Sequence, residues 1–126
     1  MAKKKQVQLE YTVNSSVGVL YNCLSTPSGL AEWFADNVVV NKEVYTFIWE
    51  RSQENAVLVT RRANEFIRFR WEGSPKEYYF EFRIKIDELT GDVALIVTDF
   101  VEDDEEDESR LLWDSQINQL LHIIGS

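Results

Sequence analysis

The sequence predicts an α+β fold: a curved, seven-stranded antiparallel sheet that wraps its apolar face around a C-terminal helix. Three observations predict it. Gln6 to Val13 alternates strictly between polar and apolar side chains, the period of a half-buried strand. From Val38 to Glu102 the period of two persists, interrupted only by turn-forming clusters. The chain then closes on Trp113, Ile117, Leu120, Leu121 and Ile124, whose spacing puts them on one stripe of a helix.

The elements follow in order. In the first strand Val7, Leu9, Tyr11 and Val13 face one side and Gln8, Glu10 and Thr12 the other. Asn14 and Ser15 offer helix caps, and Val17, Leu20, Tyr21 and Leu24 recur at helical spacing. A second short helix opens at Ser25-Thr26-Pro27, a capping hydroxyl ahead of proline at the first helical position. Leu30, Trp33 and Phe34 form its apolar face, and Asp36-Asn37 ends it. Strands are expected near Val38–Val40, Val44–Trp49, Ala56–Arg62, Phe66–Glu72, Glu77–Asp87 and Val93–Glu102. Turns are expected at Asn41-Lys42, Ser52–Asn55, Asn64-Glu65, Gly73–Lys76 and Leu89–Gly91. The final helix is predicted over Ser109 to Ile124, with Gly125 at its C-terminal cap.

Register can be tested in one hairpin. If Glu72 faces Glu77, then Trp71 meets Tyr78, Phe69 meets Phe80 and Ile67 meets Phe82 on one face. On the other face Arg68 meets Glu81 and Phe66 meets Arg83. A slip of one residue would destroy both sets, because side-chain parity flips. The strand Val93 to Val101 is apolar on both faces, so either Thr98 or Asp99 looks inward.

Composition narrows the function classes. With 126 residues, 44% of them hydrophobic and 13% aromatic, the chain fits one domain, residues 1–126, that needs neither disulfide nor metal to fold. Cys23 is the only cysteine and no signal peptide is visible, which points to a reducing, cytoplasmic setting. No run approaches the length of a membrane span. Of the net charge of -9, seven units fall on the consecutive acids Glu102 to Glu108, so the remainder is nearly neutral. An acidic strip on a neutral body repels nucleic acid and anionic lipid, and neither is expected as a partner.

Three segments resemble a known family. Thr26-Pro27-Ser28-Gly29-Leu30-Ala31-Glu32-Trp33-Phe34 is similar to the second-helix motif of the short bacterial branch of the START-like (SRPBCC) superfamily, related to the activator of heat-shock-protein ATPase. Ile67-Arg68-Phe69-Arg70-Trp71 is similar to that branch's central strand ending in tryptophan. Trp113 with Ile117, Leu120 and Leu121 resembles the pattern of its last helix. The resemblance spans nearly the whole chain and implies the helix-grip fold shared with the birch-pollen allergen. It further implies a hydrophobic small molecule held between sheet and closing helix, with cyclisation chemistry or a protein partner in some members. The chain departs from the allergen branch, since its glycines are scattered at 18, 29, 73, 91 and 125. Its last helix is also short, roughly 24 Å at 1.5 Å per residue, which argues against a large sterol-like ligand.

The candidate ligand-binding residues are Trp33, Phe34, Trp49, Phe69, Trp71, Tyr78, Phe80, Phe82, Trp113, Ile117 and Leu121. They either line an apolar pocket or simply fill the core, where each large aromatic buries on the order of 150–250 Å². The only histidine, His122, sits at the edge of the helical stripe and lacks a partner for acid–base or zinc chemistry. Cys23 has no adjacent base or cation and reads as a structural thiol. Arg68 and Arg70 face away from the apolar side, with Glu81 opposite Arg68, and read as solvent-face ion pairs. Arg61 and Arg62 point to opposite faces, so one of them approaches the interior. The acidic run lacks the glycine of a calcium loop and is expected to remain an extended, solvated approach to the last helix. No catalytic residue, metal or cofactor is expected. The expected function is non-enzymatic binding of a hydrophobic small molecule. The alternative is a protein-interaction or co-chaperone-like module using the acidic run or the sheet face, and a cyclase-type enzyme ranks last.

Overall fold

Side-chain parity builds the sheet, and helix caps build the elements that close it. The computed structural model describes residues 3–126. Strands β1 (Lys5–Val13), β2 (Asn37–Asn41), β3 (Val44–Trp49), β4 (Ser52–Arg62), β5 (Phe66–Trp71), β6 (Phe80–Ile86) and β7 (Val93–Val101) form one antiparallel sheet in the order β1-β7-β6-β5-β4-β3-β2. Helices α1 (Val17–Ser25) and α2 (Pro27–Leu30) follow β1, and α3 (Glu106–Ile123) closes the chain. This is the expected helix-grip arrangement. The last strand returns to pair with the first, and the apolar face of the curved sheet is covered by α3.

The first helix starts at Val17, so its cap is Ser16 rather than the expected Asn14 or Ser15, while the predicted cap of α2 is present. The Ser16 hydroxyl accepts from the Val19 amide, and the Thr26 hydroxyl accepts from the Gly29 amide with Pro27 at the head of α2. Gly29 is required by close approach: a Cβ there would collide with the Asn22 carbonyl oxygen and lie 2.7 Å from the Cys23 Cα. Helix α2 is only one turn long, and Trp33 and Phe34 lie in the turns that follow it rather than on its face. At the far end Gly125 adopts φ +74, and the Ser126 amide bonds the Leu121 carbonyl at 2.8 Å, completing a glycine-based C-terminal cap.

Between β5 and β6 the pairs Phe66–Arg83, Ile67–Phe82, Arg68–Glu81 and Phe69–Phe80 form as expected. The pairs Trp71–Tyr78 and Glu72–Glu77 do not, because β6 starts at Phe80. Pro75 has no amide hydrogen to extend a ladder. Tyr78 and Tyr79 instead both pack on Phe100, with ring centroids 5.5 and 4.9 Å away, on the convex face. The hairpin joining β3 and β4 is tighter than expected: Trp49 pairs with Ser52, and the ladder runs through Thr46–Asn55, whose side chains share a 2.8 Å hydrogen bond. That regular ladder claims Ser52–Asn55 for the strand, leaving only Glu50-Arg51 as the turn.

The acidic run corrects a second expectation. It is not extended: Asp103–Glu105 forms a 3₁₀ turn, and α3 begins at Glu106. Open amide groups and the helix dipole favour carboxylates at this end. Glu106 is paired with Lys5 of β1 and, at 3.0 Å, with Arg110 one turn on, and both bonds hold its carboxyl below the usual range. Those local partners outweigh the repulsion between neighbouring acids. The opposite end of α3 is tied differently. Leu120 and Ile117 are fully buried, the Gln119 amide donates to the Glu32 carbonyl at 3.3 Å, and the Ser126 hydroxyl accepts from the Asn14 amide at 2.7 Å.

On the convex face, the Arg68–Glu81 pair is less exposed than a solvent-face pair would be. Glu81 is 5% exposed and is held by Arg68 at 2.9 Å and Arg83 at 3.1 Å. The guanidinium of Arg68 lies 3.8 Å over the Tyr79 ring and that of Arg83 4.3 Å over Phe66. These rings cover the charges that neighbouring outward-facing residues would otherwise leave in water.

Candidate functional site

The interior is a solid core at one end of the sheet and an open cleft at the other. Phe47, Phe69, Phe82 and Ile117 have no solvent exposure, and the three phenylalanines pack directly behind the rings of Phe34 and Phe80. Toward the end where β3 turns into β4 and β7 runs into α3, helix and sheet leave a cleft of about 470 Å³.

Aromatic rings make its floor and walls. Phe34 is the hub: it stacks on Phe80 at 5.9 Å and on Trp113 at 6.0 Å, and it meets Trp49 edge-on at 6.0 Å. Trp71 leans on Phe80 at 4.8 Å. All five rings border the cleft. Three indole N–H groups of the chain have fixed partners. Trp33 donates to the Cys23 carbonyl at 2.8 Å, Trp49 to the Phe34 carbonyl at 3.0 Å, and Trp113 to Asp99 Oδ2 at 3.0 Å. These bonds fix ring orientation, so the aromatic walls are pre-formed rather than collapsed.

The polar part of the lining comes from four elements. Asp99 on β7 faces inward, which answers the ambiguity between it and Thr98. Its Oδ1 also accepts from the Phe100 amide at 2.8 Å. Burial holds its carboxyl above the ordinary range, against the opposing pull of the Trp113 and Phe100 N–H groups. Glu54 reaches in from β4, Glu105 from the 3₁₀ turn and Glu108 from the first turn of α3. Ser109, Leu112 and Gln116 of α3 and Val101 of β7 complete the border.

Of the eleven residues expected from sequence, the cleft gathers Phe34, Trp49, Trp71, Phe80 and Trp113. Trp33, Phe69, Phe82 and Ile117 are buried in the core beneath it, and Leu121 packs half-buried against that core farther along α3. Tyr78 lies outside, on the convex face, for the reason given above. The four carboxylates were missed as site residues. Parity could have found Glu54, which shares a face with the buried Ala56, but it left Asp99 undecided against Thr98, because both faces of β7 are apolar. Glu105 and Glu108 carried no such signal once the run was read as extended.

Other candidates fall elsewhere. His122 is exposed in the last turn of α3. Cys23 is 5% exposed, and burial pushes its thiol up. Arg61 has inward parity opposite Ile67 but is exposed, while Arg62 pairs with Glu65 at 3.4 Å. Neither borders the cleft. Glu102, Asp104 and Glu105 bring carboxylate oxygens together, but all three are exposed and no buried donor joins them. No helix among the described residues is long and apolar enough to cross a membrane.

Comparison with known proteins matches this architecture to solved structures. A Bacteroides fragilis protein, BfR322, solved in solution by NMR, is 45% identical, with 94% of this chain and 89% of that chain covered and a TM-score of 0.69. The Aha1 dimer of Colwellia psychrerythraea is 14% identical over 95% of this chain and 96% of that one, with a TM-score of 0.80. CalU16 of Micromonospora echinospora is 14% identical over 96% and 74%, with a TM-score of 0.74. The latter two likenesses are likenesses of fold. Among curated proteins, none matches. The model of the START-like superfamily domain matches residues 1–126, and the chain belongs to that superfamily.

Proposed function

We propose that the chain is a binding domain, without catalytic activity of its own, that holds a small hydrophobic molecule in the cleft under the N-terminal half of α3. The observation that carries this reading is the set of five aromatic rings held around about 470 Å³ of open space, a volume inside the roughly 300–1,000 Å³ typical of small-molecule sites. Membership of the START-like superfamily supports it. The non-enzymatic part rests on the chemistry of the lining. Both oxygens of Asp99 are already engaged by N–H donors, and among the described residues no histidine borders the cleft and its one hydroxyl, Ser109, makes no hydrogen bond to a side-chain base. The single thiol, Cys23, fits a reducing compartment such as the cytoplasm.

Native mass spectrometry of freshly purified protein tests the reading. Extra mass that is lost on denaturation is the expected result. A clean apo mass, together with tryptophan fluorescence that ignores a panel of hydrophobic probes, would refute it. Exposed Leu111, at 70%, beside the acidic turn favours a second reading, a protein-interaction surface. That reading predicts a dimer or complex with no small-molecule mass.

A further inference from the structure

Charge is distributed unevenly around the cleft. Among the described residues four carboxylates border it, those of Glu54, Asp99, Glu105 and Glu108, and no Lys, Arg or His does. An adjoining groove shares Trp71 and Glu54 with the cleft and adds Glu72, again without a basic side chain. The basic side chains that form ion pairs do so with other acids, Lys5 and Arg110 with Glu106 and Arg68 and Arg83 with Glu81 on the convex face, and Lys4 acts on Asp99 only through charge, as the smallest of the influences on that carboxyl. Among the described residues, none of the four cleft carboxylates makes an ion pair.

The aromatic walls add to the same field. The face of an aromatic ring carries negative potential, and cations bind over it, best over tryptophan. Trp49, Trp71 and Trp113 all border the cleft. The indole N–H of Trp71, unlike the other three, has no hydrogen-bond acceptor among the described residues. Acidic groups at the rim and π-faces at the walls both stabilise a positive group inside and both repel an anion. A fatty acid or a phosphorylated lipid would have to bring its negative head past several like charges, with no cation among the described residues of the lining to receive it.

We propose that the cleft takes an apolar molecule carrying a cationic group, a protonated amine or quaternary ammonium, and rejects carboxylate- and phosphate-headed molecules with the same apolar body. This rests on the cleft being a small-molecule site, as proposed above, and adds which class enters it. The rings hold the apolar body against Phe34 and Phe80, and the positive group lies toward Glu54, Glu105 and Glu108 at the mouth.

Isothermal titration with three probes that share one ring system tests this: trimethyl(1-naphthylmethyl)ammonium, 1-naphthylmethanol and 1-naphthylacetate. The ammonium is expected to bind at least about tenfold tighter than the alcohol, with the acetate weakest. High salt, which shortens the screening length to about 3 Å at 1 M, should shrink the gap between ammonium and alcohol. The alcohol provides the baseline at each salt concentration. Glu54→Gln and Glu108→Gln, both at exposed positions, should each lower ammonium affinity about two- to fivefold, the range of a solvent-accessible ion pair, and leave the alcohol unchanged. Equal affinity for ammonium and alcohol, or tightest binding of the acetate, overturns the charge inference while the cleft remains a binding site. Absence of binding by all three, or binding that survives a cleft-filling Ser109→Trp, overturns the cleft reading and this inference with it.

Discussion

Replacing Trp113 by phenylalanine isolates the bond that joins α3 to the inner end of the cleft. Phenylalanine keeps a ring against Phe34 and Phe82, at present 6.0 and 5.8 Å away, but removes the indole donor from Asp99 Oδ2. A hydrogen bond to a charged acceptor contributes about 1.5–3 kcal/mol. The smaller ring forfeits about 1 kcal/mol more in buried apolar area. Trp113→Phe should therefore destabilise the fold by about 3 kcal/mol at neutral pH. The sign with pH follows from linkage. The Trp113 bond favours ionised Asp99 and opposes the burial that raises its carboxyl. Its loss raises the folded-state pKa of Asp99 further. The hydrogen-bond share of the destabilisation is then fully present above that pKa, and it shrinks as pH falls through it. The packing share, about 1 kcal/mol, persists at every pH. Urea unfolding followed by circular dichroism at several pH values, wild type beside variant, measures the difference, and carboxylates far from the bond cancel. A destabilisation that stays constant between neutral and acid pH would refute the reasoning, because the bond would then not depend on a carboxylate.

Glu81→Ala should cost about 2 kcal/mol, below the full cost of breaking a buried pair because Arg68 and Arg83 remain partly solvated; a change under about 0.5 kcal/mol, the scale of an ordinary surface site, would show that the triad contributes nothing. Gly29→Ala should destabilise by about 1–3 kcal/mol through overpacking of α2 on α1, whereas Gly18→Ala, where nothing lies within 4 Å, should be neutral or stabilise by up to about 1 kcal/mol; equal thermal shifts for the two would contradict the close approach at Gly29. Trp71→Ala should weaken probe binding at the cleft while Tyr78→Ala leaves it unchanged, and the reverse order in a titration would return Tyr78 to the concave side. The Cys23 thiol, buried and raised above its ordinary pKa, should react with a disulfide reagent only after denaturation; rapid labelling of the folded protein would contradict its burial.

What the sequence made legible was whatever periodicity encodes. The register from Phe66–Arg83 to Phe69–Phe80 could be read because each strand places apolar residues on one face and a charge pair on the other, so only one alignment satisfies both. The stripe from Trp113 to Ile124 identified α3 in the same way. Parity failed where it stops applying. Beyond Trp71 the chain leaves the ladder at Pro75, and Tyr78 turns to Phe100, a partner separated by a whole strand. The acidic run was misread because its cohesion comes from Lys5, almost a hundred positions earlier in the chain and brought close only by the β1–β7 pairing. The cleft itself had no local signature. Phe34, Phe80 and Trp113 look the same in sequence as Phe47, Phe69 and Phe82, and only the lift of α3 away from the sheet at one end separates wall from core.

That lift has a mechanical corollary. At its C-terminal end α3 is gripped by buried Ile117 and Leu120, by the Gln119 amide on the Glu32 carbonyl and by the Ser126 hydroxyl under the Asn14 amide. At its N-terminal end, past the Trp113–Asp99 bond, the grip on the sheet is ionic, Lys5 against Glu106 and Asp103. Ions in solution weaken the second kind of attachment and leave the first intact. Brine should thus loosen the first turns of α3 as far as Trp113 and leave the rest of the helix seated, since Trp113 on Asp99 and Tyr11 on Asp114 hold its middle.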